Sequence, residues 1–326
     1  MTHTESSPIT AATAGTDWLR TGRLFGELQD LKRQQPAHLT TSIATDLFVR
    51  AWRQILDGHP PAAVADYITA RALTNVLLPG CDETFFGPAG LNREQTAALL
   101  RKGLHATAGN RLPAALLHRL EAQTDQLAAE YHTLIEAALP TELPAALRTL
   151  CRQARAGATR PGVPRLVLLP PEMHSEHCLL TAVYAVIAAA HYGADAGTAF
   201  LAALAHHLHN AILPDCGFSG EILLGDQLSH VIDTCRARAL REFDLHLRDR
   251  ITAALRHHES IDAPEGRAVS AGDVLDRVLD VKWRTRAAAV TDADILEELD
   301  LVHAGPLKDF QTDLLNATQL WNTPPN

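Results

Sequence analysis

A run of 13 uncharged residues, 178–190, does most to restrict the folds that this chain can adopt. A membrane-spanning helix needs about 20 consecutive apolar residues, whereas this run is shorter and includes Thr181 and Tyr184. Most of its other residues are alanine, leucine and valine. Because alanine and leucine favour helices, we expect a helix that is apolar on nearly every face and is therefore buried within a helical protein.

The composition of the whole chain also indicates an all-α fold. Apolar residues make up 46% of the 326 residues, which is enough to form a full core, and aromatic residues make up only 5%. Alanine and leucine dominate, and an Asn92–Gln95 capping box marks one helix start. The spacing of apolar residues predicts helices at 41–56, 62–78, 96–105, 113–138, 143–156, 175–192, 195–210, 220–228, 230–258 with a break near Arg241, 270–282, from Thr291 onward, and 306–320.

Residues 156–164 contain two glycines and two prolines, which marks a connection between two regions. We expect a disordered tail at 1–16, a helical N-terminal region at 17–160 and a histidine-bearing domain at 161–326. The N-terminal region has no catalytic motif, so we interpret it as a helical layer that covers a pocket or forms an interface in a homo-oligomer.

Charge and cysteine usage exclude several classes of protein. The net charge of −9 is opposite in sign to that of a general nucleic-acid binder. No secretory signal and no membrane-spanning segment is visible, so no membrane partner is expected. The five cysteines are scattered and contain no C-x-x-C pair, which excludes a disulfide framework or a cysteine zinc cluster. These features predict a cytoplasmic protein.

Histidine is the unusual residue type, because 11 of the 17 histidines follow residue 170. They concentrate near the ends of predicted helices. The candidates are His174, Glu176 and His177 at one helix start, His206 and His207 at the end of the next helix, His230, His257 and His258 near the ends of a long helix, and Asp273 at the start of a later one.

Neutral imidazole and carboxylate groups are the ligands that divalent first-row metals prefer. Two ligands that are adjacent at a helix end point about 100° apart. They can therefore share a metal only where several helix ends meet. The pattern predicts a site for one divalent cation (Mn, Fe, Co, Ni or Zn), built from His177, His206, His207 and Asp273.

At these residues the sequence resembles the HD-domain superfamily over about 171–285. His177-Cys-Leu-Leu-Thr-Ala-Val resembles the helix-opening histidine, Ala202-Ala-Leu-Ala-His206 resembles the approach to the His-Asp pair, and Gly272-Asp273-Val-Leu resembles the final aspartate. His257-His258-Glu259 resembles the intervening histidines of binuclear members. The chain departs from the family at His207, which replaces the aspartate of the pair. A neutral imidazole cannot bridge two metals as that aspartate does.

The resemblance implies an HD-like helical bundle and a metal-dependent hydrolase of a phosphate ester or nucleotide, with His174 or Glu176 moving protons. An iron oxygenase that acts on a small molecule is a second possibility, with His230, His257 and His258 as extra ligands. A third is a non-catalytic signalling or binding module with a degenerate site.

Several candidate residues also have ordinary structural explanations. Asp273 follows Ser270 at capping-box spacing, which leaves Asp276 as the alternative ligand. His257 and His258 can complement a helix C-terminus. Two basic sets can hold substrate phosphates or form a solvated face. These sets are Arg236, Arg238 and Arg241, and Lys282, Arg284 and Arg286.

Overall fold

A computed structural model describes residues 11–133, 142–159, 162, 169–257, 260–285, 296, 301–302 and 304–320. Within these ranges the chain forms helices and short 3-10 turns, and an isolated β-bridge joins Ala154 to Met173. The predicted all-α fold class is confirmed. In the same ranges, no helix has the length and apolar character needed to cross a membrane.

The helices follow one another along the chain. The N-terminal half contains α1 (Ala11–Leu28), α2 (Ile43–Leu56), α3 (Pro61–Leu77), α4 (Arg93–Ala108), α5 (Ala114–Tyr131) and α6 (Ala145–Leu150). The C-terminal half contains α7 (His174–Tyr192), α8 (Ala196–Ala205), α9 (Gly217–Leu224), α10 (Leu228–Ala239), α11 (Leu245–Leu255), α12 (Pro264–Arg284) and α13 (Lys308–Thr318). Two 3-10 turns matter for the site: Gln29–Lys32 follows α1 and Leu208–Ala211 follows α8.

Several helix boundaries agree with the sequence pattern. The Asn92–Gln95 capping box is present, since each side chain accepts a hydrogen bond from the other residue's backbone N–H. The expected break near Arg241 is a 3-10 turn, Leu240–Glu242, that separates α10 from α11. Helix α1 begins at Ala11 and so extends into the segment that was expected to be a tail. The expected helix start at Thr291 lies outside the described residues.

Helix α12 begins six residues earlier than the sequence pattern indicates. Pro264, rather than Ser270, is its first residue, because a proline at the first helical position loses no hydrogen bond and is already near the helical φ. Asp273 therefore lies in the interior of α12, in its third turn. The expectation of a helix start at Ser270 was wrong, and capping does not explain Asp273.

Helix α7 is the centre of the fold. It packs against α8 and α12 and also against α2 and α3 from the N-terminal half. Its residues from His174 to Ala189 are buried, as the uncharged run predicted. One hydrophobic core includes residues of α1 to α8 and of α11 to α13, so the N-terminal helices pack directly on the helices that carry the histidines.

Gly272 allows α12 to lie close to α7. A Cβ atom at Gly272 would lie 2.5 Å from the carbonyl oxygen of Thr181 and 3.1 Å from the backbone nitrogen of Ala185. Real Cβ atoms do not approach a backbone oxygen that closely. Position 272 therefore requires glycine if α12 is to lie this close to α7. The close contact brings the carboxylates of α12 within reach of the first turn of α7.

Candidate metal centre

Three predicted ligands come into direct contact where the start of α7, the end of α8 and the interior of α12 meet. His177 Nε2 lies 3.1 Å from His206 Nε2 and 3.2 Å from Asp273 Oδ1. His206 Nε2 lies 4.0 Å from the same carboxylate oxygen. His207 joins them, because ring nitrogens of His177, His206 and His207 lie within 4.8 Å of one another. His177 and His206 are buried and His207 is half-buried.

The hydrogen bonds of the three imidazoles determine which ring nitrogen carries the proton. Nδ1 of His177 contacts Asp276 Oδ2 at 2.7 Å, Nδ1 of His206 contacts the Ala203 carbonyl at 2.5 Å, and Nδ1 of His207 contacts Asn210 Oδ1 at 2.7 Å. Each contacted oxygen is an acceptor, so each Nδ1 is the donor. In the neutral rings, Nε2 then carries the lone pair that a metal needs.

Two of these spacings are close to those between ligands of one ion, whereas the His206–Asp273 spacing of 4.0 Å is longer. Nitrogen and oxygen ligands lie about 2.0–2.2 Å from zinc in a tetrahedral site, which places neighbouring ligand atoms about 3.3–3.6 Å apart. The distances of 3.1 and 3.2 Å around His177 Nε2 are close to that value. Three imidazoles and one carboxylate therefore form a donor set that fits a divalent first-row metal.

The electrostatic surroundings keep His207 and Asp273 in the forms that bind metals, whereas His177 favours a proton that a metal must displace. Burial and the charge of Arg155 lower the pKa of His177, but its hydrogen bonds to Asp273 and Asp276 outweigh them and raise it above its usual value. Burial and the neighbouring His206, His177 and Arg155 groups hold the pKa of His207 well below its usual value, so its ring is neutral. Burial by itself raises the pKa of Asp273, but Arg277 and the His177 hydrogen bond outweigh it, and the pKa lies well below its usual value. Asp273 is therefore an anionic ligand.

Sequence reasoning missed the N-terminal residues that support this centre. Asp276 Oδ1 accepts a hydrogen bond from Gln29 Nε2 at 2.7 Å, and Asp276 Oδ2 accepts one from Lys32 Nζ at 2.9 Å. Both donors come from the 3-10 turn after α1. Their acceptor Asp276 lies with Asp273 and Asp280 at a spacing that places three carboxylates on one face of a helix, which the sequence shows.

Glu172, His177 and Asp276 form a second group whose ligand atoms lie within 4.8 Å of one another. This group already contains a cation, because Lys32 Nζ contacts Glu172 Oε1 and both oxygens of Asp276. Burial opposes the charge of the ammonium, but the surrounding carboxylates raise the pKa of Lys32 above its usual value. The His177, His206, His207 and Asp273 group is therefore the better candidate for a metal.

A cavity of about 230 Å³ opens beside the centre. His206, His207 and Asp273 line one part of it, and the guanidinium groups of Arg155 and Arg277 line other parts. Arg155 contacts Glu172 at 3.3 Å. Arg277 Nη1 lies 3.9 Å from Asp273 Oδ2, beyond hydrogen-bond distance, and its buried Nε has no hydrogen-bond partner.

The two residues expected to move protons have different surroundings. His174 is buried, its Nδ1 contacts the Gln153 carbonyl at 3.0 Å, and its Nε2 lies 3.6 Å from Asp215 Oδ2. Burial, followed by the charge of Arg155, lowers the pKa of His174 to about 4. The carboxylate of Glu176 instead accepts hydrogen bonds from the Met173 backbone N–H at 2.8 Å and the Ser42 hydroxyl at 2.5 Å. Glu176 thus supports the start of α7.

The remaining candidates are not brought to the centre in the part of the chain that the structure describes. His230 is exposed on α10, and His257 is half-buried just after α11. His258 lies outside the described residues, as does Arg286. Arg236 pairs with Asp233 at 3.2 Å, and Arg284 pairs with Asp280 at 2.7 Å, so Arg155 and Arg277 are the arginines that face the cavity.

Buried histidine and carboxylate groups that can hold a metal ion are therefore present where three helices meet. The cavity adjoins this donor set, and the Nδ1 atoms of its three histidines are hydrogen-bonded. No protein-family model, no curated protein and no solved structure matches this chain.

Proposed function

We propose that this chain is a metal-dependent hydrolase of the HD-domain type that acts on a small phosphate ester or nucleotide. His177, His206, His207 and Asp273 bind one divalent cation. The order of these residues along the chain supports the assignment, as does the resemblance of their surrounding sequence to the HD-domain pattern. The helical bundle in which they lie is compatible with it.

The observation that carries the proposal is the convergence of acceptor atoms around His177 Nε2. Nδ1 of both His177 and His206 is engaged by an oxygen, so both Nε2 atoms of the neutral rings present lone pairs. The carboxylate of Asp273 lies 3.2 Å from one of them. Acceptors packed this closely in a buried place need a shared proton or a metal ion between them, and this donor set fits a metal.

A bound divalent cation supplies a water of lowered pKa and polarises a phosphoryl oxygen. The ligand set is less negative than that of the family pattern, because His207 stands in place of an aspartate. With one carboxylate among four ligands, the metal-loaded centre carries a net positive charge. Such a centre attracts an anionic substrate and disfavours a second metal.

Arg277 and Arg155 support a substrate that carries negative charge. The two guanidinium groups line the same cavity as His206 and Asp273. Arg155 is balanced by Glu172, whereas Arg277 has an unsatisfied Nε and a distant carboxylate. Once Asp273 neutralises a metal, Arg277 needs another anion, and a phosphate suits the geometry of a guanidinium. A cavity of about 230 Å³ suits a small molecule.

Proton movement falls to Asp215 and His174 in this proposal. Asp215 lines the cavity, and its Oδ2 lies 3.6 Å from the buried Nε2 of His174. Although burial raises the pKa of Asp215, Arg155 and backbone hydrogen bonds outweigh it and lower the pKa, so the group is a carboxylate. The His174 nitrogen has no hydrogen-bond partner within 3.5 Å, so a small movement lets it accept a proton that Asp215 has taken up from the cavity. Glu176 is not needed, because its two oxygens are engaged at the start of α7.

The test begins with the metal content of protein purified without chelator, followed by turnover of a panel of phosphomonoesters, phosphodiesters and nucleotides. We expect about one Mn, Fe, Co, Ni or Zn ion per chain and metal-dependent hydrolysis. His206→Ala should lose both, whereas the matched exposed-histidine variant His230→Ala should lose neither. Iron with an oxygen-dependent absorption band would favour an oxygenase. Absence of metal above background would favour a binding module and overturn the proposal.

A further inference from the structure

The ammonium group of Lys32 lies inside the protein, behind the histidine centre. Its side chain has 0% relative exposure. Lys32 comes from the 3-10 turn after α1, yet its Nζ contacts Glu172 Oε1, lies 2.8 and 2.9 Å from the two oxygens of Asp276, and lies 3.7 Å from Asp280 Oδ1. A buried lysine in contact with three carboxylates is a costly arrangement to maintain.

Asp276 links this lysine to the centre. Its Oδ2 accepts hydrogen bonds from both Lys32 Nζ and His177 Nδ1, and its Oδ1 accepts one from Gln29 Nε2 at 2.7 Å. Its side chain is fully buried. The orientation of the carboxylate is thus set from the N-terminal side by two donors, while its remaining hydrogen bond holds the imidazole ring of His177.

We propose that Lys32 is a positioning residue that acts through Asp276 to hold His177 in the orientation that binds a metal. The inference rests on the metal centre of the proposed function and extends it to a residue that has no contact with the cation. Gln29 helps to fix the same carboxylate, because it donates a hydrogen bond to the other oxygen of Asp276. The N-terminal region is by this inference part of the working site and more than a cover for it.

The chemistry favours this role. A histidine that ligates a metal through Nε2 is oriented by the partner of its Nδ1–H, and loss of such a partner typically lowers metal affinity about 10- to 100-fold. A carboxylate buried without its counter-ion moves or takes up a proton. Removal of the Lys32 charge therefore disturbs Asp276, and through it the orientation of the His177 ring.

A structural role alone would have a different consequence. Loss of any buried cation that faces carboxylates lowers stability, wherever it lies. Arg71 offers the matched case, since it is buried on α3 and pairs with Glu130 at 3.1 Å and Glu83 at 3.5 Å. Neither of these partners belongs to the histidine centre or lines its cavity.

The experiment compares the full-length wild type with Lys32→Met, Gln29→Met and Arg71→Met. The dissociation constant for Co²⁺ is measured by competition with a chromophoric chelator, together with the visible absorption bands of the Co²⁺-loaded protein. We expect an affinity loss of about 100-fold in Lys32→Met and about 10-fold in Gln29→Met, with shifted Co²⁺ bands in both. Arg71→Met should lose stability but keep the wild-type affinity and bands.

Wild-type affinity and unchanged bands in Lys32→Met would overturn the inference, as would an equal affinity loss in Arg71→Met. If Lys32→Met does not fold, Gln29→Met decides, because it keeps every charge and approximately the side-chain volume; unchanged affinity there overturns the inference. A wild type that binds Co²⁺ but hydrolyses no ester would overturn the proposed function alone. A wild type that binds no divalent ion would overturn both.

Discussion

His177 and His206 direct their Nε2 atoms at each other across 3.1 Å, although 29 positions separate them in the sequence. Each ring donates its Nδ1 proton elsewhere, to Asp276 and to the Ala203 carbonyl. Two lone pairs at this distance repel each other unless a proton or a metal ion lies between them. Although burial lowers the pKa of His177, its hydrogen bonds to Asp273 and Asp276 raise it overall, so a proton holds this place in the metal-free protein and a divalent ion can displace it.

Divalent metal is expected to stabilise the folded protein. A ligand that binds only the folded state at 100 times its dissociation constant adds about 2.7 kcal/mol to the free energy of unfolding. Thermal unfolding in Co²⁺ or Zn²⁺, compared with unfolding in EDTA, measures this increment. His206→Ala should abolish it and His230→Ala should retain it. An undiminished increment in His206→Ala would contradict the ligand assignment.

Arg277→Gln is expected to weaken binding of the anionic substrate. The substitution removes a charge-assisted hydrogen bond of about 1.5–3 kcal/mol, which corresponds to a 10- to 100-fold increase in KM, with a smaller change in kcat. Steady-state kinetics on the best ester from the substrate panel measures both. Arg241→Gln, on an exposed turn, should leave KM unchanged. A KM that does not respond to Arg277→Gln would remove Arg277 from the substrate site.

Gly272→Ala is expected to destabilise the protein and to weaken metal binding. The added Cβ would lie 2.5 Å from the Thr181 carbonyl oxygen, so α12 must move away from α7, at a cost of about 1–3 kcal/mol. The movement also draws Asp273 away from His177. Urea unfolding and Co²⁺ affinity measure the two effects.

Gly26→Ala in α1 is the matched control for Gly272→Ala, because no atom lies within 4 Å of its added Cβ. It should be neutral or stabilise the helix by up to about 1 kcal/mol. Equal effects of the two substitutions would show that helix propensity, and not the contact of α12 with α7, determines the cost.

The metal-free protein is expected to lose stability as the pH falls from about 6.5 to 4, in part through His174. Burial and Arg155 lower the pKa of this residue from 6.5 to about 4 in the folded state. The unfolded chain therefore binds a proton first, so the contribution is present above pH 6.5 and is lost as the pH falls through the folded pKa. At about 1.4 kcal/mol per pKa unit, the contribution is about 3 kcal/mol.

Urea unfolding in EDTA across this pH range tests the His174 contribution. His174→Asn keeps an N–H for the Gln153 carbonyl but does not titrate, so its free energy of unfolding should fall less steeply between pH 6.5 and 4. Parallel pH profiles for wild type and His174→Asn would contradict the assignment of this contribution to His174.

Local sequence pattern was sufficient to predict many of the helices, though not α1 or the start of α12, and to single out the strongest ligand candidates. Helix propensity, apolar spacing and capping act over a few neighbouring residues, which is why α7, the Asn92–Gln95 cap and the break between α10 and α11 could be predicted. Histidines at the ends of apolar helices also stood out, because an apolar helix end is buried and a buried imidazole needs a partner.

The tertiary structure alone decided which of these residues meet. His206 and His230 are indistinguishable as residue types, but α8 is buried and α10 is largely exposed, so only His206 reaches the centre. Gln29 and Lys32 had no local signal, because their partner Asp276 lies 247 and 244 positions away. Such contacts depend on how closely whole helices pack. Between α7 and α12, close packing is possible because Gly272 has no side chain.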